Sequence, residues 1–424
     1  MRSLLIITAT IIALSSNLFA QQDFATLDKQ TYDYYLKGDY RNLRQTGDSM
    51  LAQGIDYYFL RMRMGITAYK KQRYPISIKH FSKALDFSSI DTVSREYIYN
   101  SYLLSGLKAD ANIYLERMLW ERKNNTLKAM GVGNSTDFFL GSSYATYDQF
   151  LYEINSLEYE SIESSFSINV GFESYFSSHL KGTFAYTNYQ KTGIKYSRPH
   201  PFGTALDFTQ NQIYAKLTGL AFRGWEFSGF GHLAFYSEKV PPTIGGMRGP
   251  TTQIISDYLV GIGISKNGWK IRTGANASIS NFGGSSQFRG EGFLTYLPFG
   301  NLNLYFSSTG MGQTDKNWGS TYQFNQEIGF KVFKFMWLES GLLTGNSFLC
   351  ARNQGYDMNN SFQIPSKSVY GNLIFLLGKK LSITLTSFYN ENENYSWDLN
   401  NYQRYDKQIL NSFGGAIKLT YKNK

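Results

Sequence analysis

Fourteen stretches in the second two-thirds of the chain alternate apolar with polar residues, each over roughly 10–15 positions, and the joins between them are short and long by turns. The stretches run at 136–147, 165–176, 179–190, 208–222, 224–237, 252–266 and 268–281, then at 286–297, 300–310, 320–333, 335–346, 367–378, 380–391 and 410–422. Two show the pattern well. Trp225, Phe227, Gly229, Gly231, Leu233 and Phe235 share one face, with Glu226, Ser228, Phe230, His232 and Ala234 opposite; Trp269, Ile271, Ala275, Ala277 and Ile279 oppose Lys270, Arg272, Asn276, Ser278 and Ser280. Alternation of this kind is a strand with two unlike faces. Its length exceeds the five or six residues usual in soluble sheets and suits a tilted membrane crossing. Short joins lie at 176–179, 223–224, 267–268, 298–300, 334 and 379; long ones lie at 148–164, 191–207, 238–251, 347–366 and 392–409, with 282–285 and 311–319 of modest length. Short turns at one end and long loops at the other are the layout of a transmembrane β-barrel. The expected fold is therefore an all-β transmembrane barrel of about 14 antiparallel strands over residues 127–424, with 12 and 16 as alternative counts. Seven prolines (Pro199, Pro201, Pro241, Pro242, Pro250, Pro298 and Pro365) fall between the candidates, as strands require.

The composition agrees. Aromatic residues make up 17% of the chain, with 33 Tyr and 32 Phe, yet past the N-terminus no uncharged apolar run approaches the length of a membrane helix. Tyr175, Phe176, Tyr186, Trp225, Tyr236, Trp269, Tyr296, Phe299, Trp337, Tyr389 and Tyr421 sit near strand ends, where amphipathic rings suit the two interfaces with lipid. One cysteine, Cys350, excludes a disulfide framework and is expected as a lone thiol in the external loop 347–366. The net charge of +10 is spread along the chain without a basic block, so no nucleic-acid partner is expected.

With the apolar face on lipid, Lys216, Glu226, His232, Lys270, Arg272, Arg289, Glu291, Glu327, Lys331, Glu339 and Lys418 are expected to line the lumen. His232 is the one histidine on an inward face. It lacks the Tyr-Thr-His and Ser-Asn-Gly pattern of barrel phospholipases, so a hydrogen-bonding role is expected and no catalytic residue is assigned. His80, His179 and His200 are too scattered for a metal site, and no cofactor is expected. Gly245–Gly249 is loop glycine without the strand–helix setting of a phosphate cradle. Loop 392–409, with Tyr395, Trp397, Tyr402 and Tyr405, offers a possible glycan or protein contact.

Residues 1–20 carry a basic start at Arg2, an apolar stretch Leu4–Leu14 and a small residue at Ala20, the order of a secretory signal peptide. Residues 21–126 read as helical, with similar breaks at Gly38-Asp39-Tyr40, Gln72-Arg73-Tyr74 and Gly106-Leu107-Lys108. The middle copy, with Gly65, Tyr69, Tyr74, Ile78, Phe81, Ala84 and Leu85, resembles the tetratricopeptide family; Tyr34 and Tyr40 match in the first copy, Tyr102, Gly106 and Ala111 in the third. The first copy departs at Gly47, where an aromatic is usual. That resemblance implies a small α-helical solenoid whose groove holds a partner segment, with Arg61, Arg63, Lys70, Lys71 and Arg73 as candidate contacts for an acidic one.

The order of these parts resembles outer-membrane proteins that join a periplasmic tetratricopeptide domain to a barrel, the exopolysaccharide export porins and the YaiO-like proteins of Bacteroidota; export porins carry much longer repeat arrays. The resemblance implies a chain seated in outer-membrane lipid with residues 21–126 in the periplasm. The expected function is a non-enzymatic scaffold whose repeats bind a periplasmic protein partner, with a channel for solute or exopolysaccharide export as the alternative.

Overall fold

The computed structural model describes residues 24–116, 136–148, 158–197, 200–240, 251–346, 348–359, 364–378, 380–398 and 403–423. The signal-peptide pattern and Gly245–Gly249 lie outside them. Two compact units separate near Ala111, and each is taken by itself.

The first unit is a run of helices: α1 (24–37), α2 (Tyr40–Ala52), α3 (Tyr58–Lys70), α4 (Tyr74–Phe87), α5 (Thr92–Leu104) and α6 (Lys108–Glu116). The three breaks seen in the sequence share one geometry. Gly38, Gln72 and Gly106 have φ of 71°, 57° and 73°, and the residue after each donates its N–H to the carbonyl five positions back (Tyr34, Ala68 and Tyr102). This is the Schellman closure of a helix, in which a left-handed residue lets the chain reverse while capping carbonyls left without partners. Between α3 and α4, Gly65 meets the ring of Phe81: a Cβ there would lie 2.9 Å from it, and Ser77 Oγ donates to the Gly65 carbonyl at 3.0 Å. Gly47 likewise admits Met64, which explains the missing aromatic of the first copy.

The second unit is a closed antiparallel barrel of fourteen strands: β1 (Thr136–Tyr147), β2 (Glu158–Ser177), β3 (Leu180–Ser197), β4 (His200–Ala221), β5 (Trp225–Val240), β6 (Thr251–Asn267), β7 (Ile271–Ser280), β8 (Gln287–Tyr296), β9 (Leu304–Asp315), β10 (Gly319–Phe333), β11 (Met336–Gly345), β14 (Ile364–Leu377), β15 (Leu381–Asp398) and β16 (Gln403–Asn423). Two short strands, β12 (Cys350–Arg352) and β13 (Asp357–Asn359), form a separate hairpin. Closure is completed by β1 against β16, from Thr136↔Asn423 to Tyr147↔Ser412. A closed barrel leaves no strand edge unpaired, the condition for β-structure in lipid. The outward faces carry exposed apolar side chains, among them Leu140, Val170, Phe227, Val260, Ile262 and Phe324. The expected barrel class and count of fourteen are both found.

Several joins differ from expectation. The segments expected as loops at 191–207 and 392–409 are largely strand: β3 runs to Ser197, β4 starts at His200, β15 reaches Asp398 and β16 begins at Gln403. At 3.3 Å per residue, the 22 residues of β4 outrun an apolar layer about 30 Å thick, so the hairpins continue as ribbon beyond it. Their polar ends hid this, because alternation fades once neither face meets lipid. Pro365 lies inside β14, at a register shift between Pro365 and Lys367, the kind of irregularity at which strands admit proline.

Aromatic rings on the inward side lie across glycines of the neighbouring strand: Tyr305 on Gly329, Tyr370 on Gly341, Phe388 on Gly414 and Phe230 on Gly261, each within 2.6 Å of where a Cβ would stand. At these four positions the two residue types are coupled. The glycines give the large rings room against the wall instead of in the lumen.

Candidate functional site

The join between β11 and β14, at the long-loop end, does not stay outside. Residues 348–359 pack inside the barrel, where Phe348, Leu349, Cys350 and Ala351 are at most 1% exposed and cluster with Phe139, Tyr214, Phe230, Leu259 and Phe282. Polar bonds tie the segment to the wall. His232 Nδ1 lies 2.6 Å from the Gly355 carbonyl oxygen, Tyr214 OH donates to the Gln354 carbonyl at 3.3 Å, and Tyr356 OH donates to Asn169 Oδ1 at 2.8 Å. Gln323 Nε2 reaches the Asn346 carbonyl and Cys350 Sγ, both at 3.1 Å. The turn of the hairpin holds left-handed backbone at Asn353, Gln354 and Gly355 (φ 54°, 57° and 81°). Asparagine and glycine accommodate such φ; Gln354 is held there by the bond from Tyr214. The external loop expected at 347–366 is thereby corrected. The signal was available: Phe348-Leu349-Cys350-Ala351 is too apolar for an exposed loop, and burying it inside the barrel removes it from water.

The hairpin covers the β4–β8 wall and leaves a cavity of about 750 Å³ on the other side of the lumen. Its lining is chiefly hydroxyl, amide and phenol groups from β1–β3, β9–β11 and β14–β16, facing Arg352, Tyr356 and Asp357 of the hairpin. The wall is hydrogen-bonded within itself. Tyr370 OH donates to Glu327 at 2.8 Å and accepts from Asn325 at 3.2 Å; Tyr305 OH donates to Glu339, which also accepts from Asn372 at 3.1 Å; Thr386 donates to Asn372 at 2.8 Å. The carboxylates are thus oriented by neutral donors, which fixes the shape of the wall.

The residues expected in the lumen divide by depth. Glu291, Glu327 and Lys418 line the cavity, Lys418 lying 4.5 Å over the ring of Phe139. Glu339 stands behind it in the Tyr305 network. Arg289 and His232, each 2% exposed, are covered where the hairpin packs. Lys216, Glu226 and Arg272 share the inward positions of β4, β5 and β7 towards the short-turn end, where Ser265 meets Glu226. Lys331 lies 4.6 Å over Trp337 near the same end. Lys270 is a correction: it is exposed in the turn before β7, because β6 and β7 pair up to Asn267↔Arg272 and leave Lys270 in the bend. Gln323, Asn325, Tyr370, Asn372 and the hairpin residues were not singled out in the sequence. They are neutral, and nothing in the local sequence sets a neutral inward residue apart from any other polar residue of an alternating strand.

In the helical unit, Arg61 pairs with Asp56 at 2.6 Å and Arg63 with Asp28 at 2.5 Å, so both guanidinium groups have partners within the unit. The bonds from Arg61 hold the Asp56 carboxyl below its ordinary value. Lys70 and Lys71 lie 5.5 and 5.7 Å over the ring of Tyr40, and Arg73 lines a cavity of about 480 Å³ with Tyr40, Arg44, Met64, Lys71 and His80. Among the described residues there is no group of three or more His, Cys, Asp or Glu side chains that could hold a metal ion.

No protein-family model matches the sequence, and no curated protein matches it. Among solved structures, the chain is similar to the toluene transporter TodX of Pseudomonas putida (8% identity, TM-score 0.44, 69% of this chain and 90% of that one) and to a FadL homologue of Pseudomonas aeruginosa (8%, 0.43, 69% and 90%). A more distant likeness is the translocator domain of the autotransporter NalP from Neisseria meningitidis (8%, 0.31, 71% and 95%). The likeness is one of barrel fold. The expected role as a scaffold recruiting a protein partner is corrected by these comparisons. Those proteins are named as transporters and a translocator, not as scaffolds.

Proposed function

We propose that this protein is an outer-membrane channel whose inserted hairpin narrows the lumen to a polar passage for small solutes. The observation that carries it is the cavity of about 750 Å³ beside residues 348–359, lined by groups that hydrogen-bond rather than by apolar side chains. Fourteen strands enclose more space than the eight whose interior side chains fill the barrel, and the hairpin takes up part of the excess. The toluene named for two of the neighbours suits this wall poorly, since hydroxyl and amide groups would lose hydrogen bonds to water and gain none from a hydrocarbon. We read residues 1–20 as the export signal and the helices as tetratricopeptide-like hairpins on the periplasmic side, a reading supported by like turns at Gly38, Gln72 and Gly106.

Single-channel recording in planar bilayers tests the proposal. The full chain gives discrete conductance steps, and deletion of residues 348–359 enlarges them several-fold. Silence from both proteins, each inserted and folded, would overturn it.

A further inference from the structure

The unpaired positive charge of the helical unit gathers at one cavity of about 480 Å³, formed by α2, α3 and α4. Arg41 and Arg44 of α2, Lys71 just past α3 and Arg73 just before α4 line it, against one carboxylate, Asp48. All five side chains are exposed, so a solute reaches them. Arg61 and Arg63 have acidic partners within the unit, whereas the guanidinium groups of Arg41, Arg44 and Arg73 form no ion pair or hydrogen bond with any described residue. Lys71 holds its ammonium 5.7 Å over the ring of Tyr40, which also lines the cavity. Arg73 opens α4, whose first turn has no acidic residue and no side-chain cap, so the positive end of that helix adds to the same field.

The floor beneath this rim is apolar, supplied by Met64, Ala68 and Ile76. Gly47 shapes it: a Cβ there would stand 2.5 Å from Met64 Sδ, so a larger residue would displace Met64 and the floor with it. Charge and floor together define the ligand. Cations held close together repel one another, and an anion relieves that repulsion. Guanidinium forks match the paired oxygens of a phosphate, and a phosphate monoester, at about −1.5 to −2, neutralises more of this charge than a single carboxylate does. An apolar floor leaves water only when the ligand brings an apolar body to cover it.

We propose that this cavity binds an organic phosphate monoester, with the phosphate on the arginines and the apolar part on Met64, Ala68 and Ile76. The site lies within the helical unit and does not depend on the channel reading, so either can fail alone. Its volume is within the roughly 300–1,000 Å³ that small-ligand sites occupy. A soluble phosphate ester and the headgroup of a phosphatidic acid share the chemistry it recognises.

The test is calorimetric titration of the full detergent-solubilised chain with phenyl phosphate. Saturable binding is expected, about 10-fold tighter than that of inorganic phosphate, because the ring covers the floor. Arg44→Gln and Arg73→Gln each weaken it about 10-fold or more, the strength of a hydrogen bond between charged groups. Asp48→Asn tightens it a few-fold by removing the one opposing charge. These three residues are exposed, so the substitutions leave the helices folded. Dihexanoyl phosphatidic acid, kept below its micelle concentration, is the second probe. Binding of this lipid alone supports the site with a headgroup as its source, and binding of phenyl phosphate alone supports it with a soluble ester. No saturable binding of either probe overturns the proposal, as does unchanged affinity in the Arg44→Gln/Arg73→Gln double variant or equal affinity for inorganic phosphate. Hexaglutamate that binds more tightly than phenyl phosphate and displaces it gives the cavity to an acidic peptide and overturns the phosphate class.

Discussion

His232 Nδ1, on the inward face of β5, lies 2.6 Å from the carbonyl oxygen of Gly355 at the tip of the inserted hairpin. The contact joins residues 123 positions apart and leaves the imidazole 2% exposed. The ring therefore serves as a post for the hairpin, and its other neighbour, Tyr214, meets it edge-on at 5.8 Å.

Replacing His232 by Ala removes the bond and leaves the Gly355 carbonyl without its donor. The hairpin should loosen by about 1–3 kcal/mol while the barrel stays closed. Single-channel noise should rise and its mean conductance increase; an unchanged trace from a folded His232→Ala protein would show that the apolar anchor at Phe348–Ala351 suffices.

Cys350 gives a direct reading of the hairpin's position. Its thiol is 1% exposed and touches Gln323. Maleimide should leave it unmodified in the folded barrel and label it fully after denaturation. In His232→Ala labelling should become measurable at a rate set by hairpin opening. Fast labelling of the native protein would place residue 350 outside the lumen.

Tyr370 lies where a Cβ on Gly341 would stand, 2.2 Å from its ring. Gly341→Ala should push the ring off the wall, break its bond to Glu327 and narrow the cavity. The expected cost is about 1–3 kcal/mol in barrel stability, with a lower conductance, measured by thermal unfolding and bilayer recording.

In the helical unit, His80 is buried beside the Arg61 guanidinium, 3.2 Å from Nδ1, and faces Lys79 and Asp56 as well. Burial first, then Arg61 and Lys79, push its pKa from 6.5 down to about 4. The unfolded chain therefore takes up the proton more readily than the folded one. Stability is whole above pH 6.5 and declines as pH falls towards 4, by about 3 kcal/mol at the end of that window. Urea unfolding of the helical signal between these limits checks the slope, and His80→Gln, which can still accept from Arg61, should flatten it.

The turn at Gln72 and the notch at Gly65 give opposite outcomes. Gln72 holds φ of 57° where its two counterparts are glycine, so Gln72→Gly should stabilise the helices by about 1 kcal/mol. Gly65→Ala sets a methyl 2.9 Å from the Phe81 ring and should cost about 1–3 kcal/mol. Both are read from the same urea series.

The fourteen strands were legible because each inward residue is followed by one that meets lipid, as Glu226 is by Phe227, and that alternation is written locally. The helix breaks at 38, 72 and 106 were legible for a like reason, since a left-handed turn constrains its own few residues. Strand ends were less clear, because beyond lipid both faces of β4 and β15 are wet and the alternation weakens.

The sequence by itself determined a β-barrel with an apolar outside and helices ahead of it. Only the tertiary structure decided that residues 348–359 turn inward, that Lys270 falls in a bend, and that Gln323 and Asn325 are tied to Asn346 and Tyr370. The reason is distance along the chain. Gly355 meets His232, and Tyr356 meets Asn169, across more than a hundred residues, and no local pattern reports which wall a loop will find once the barrel has closed.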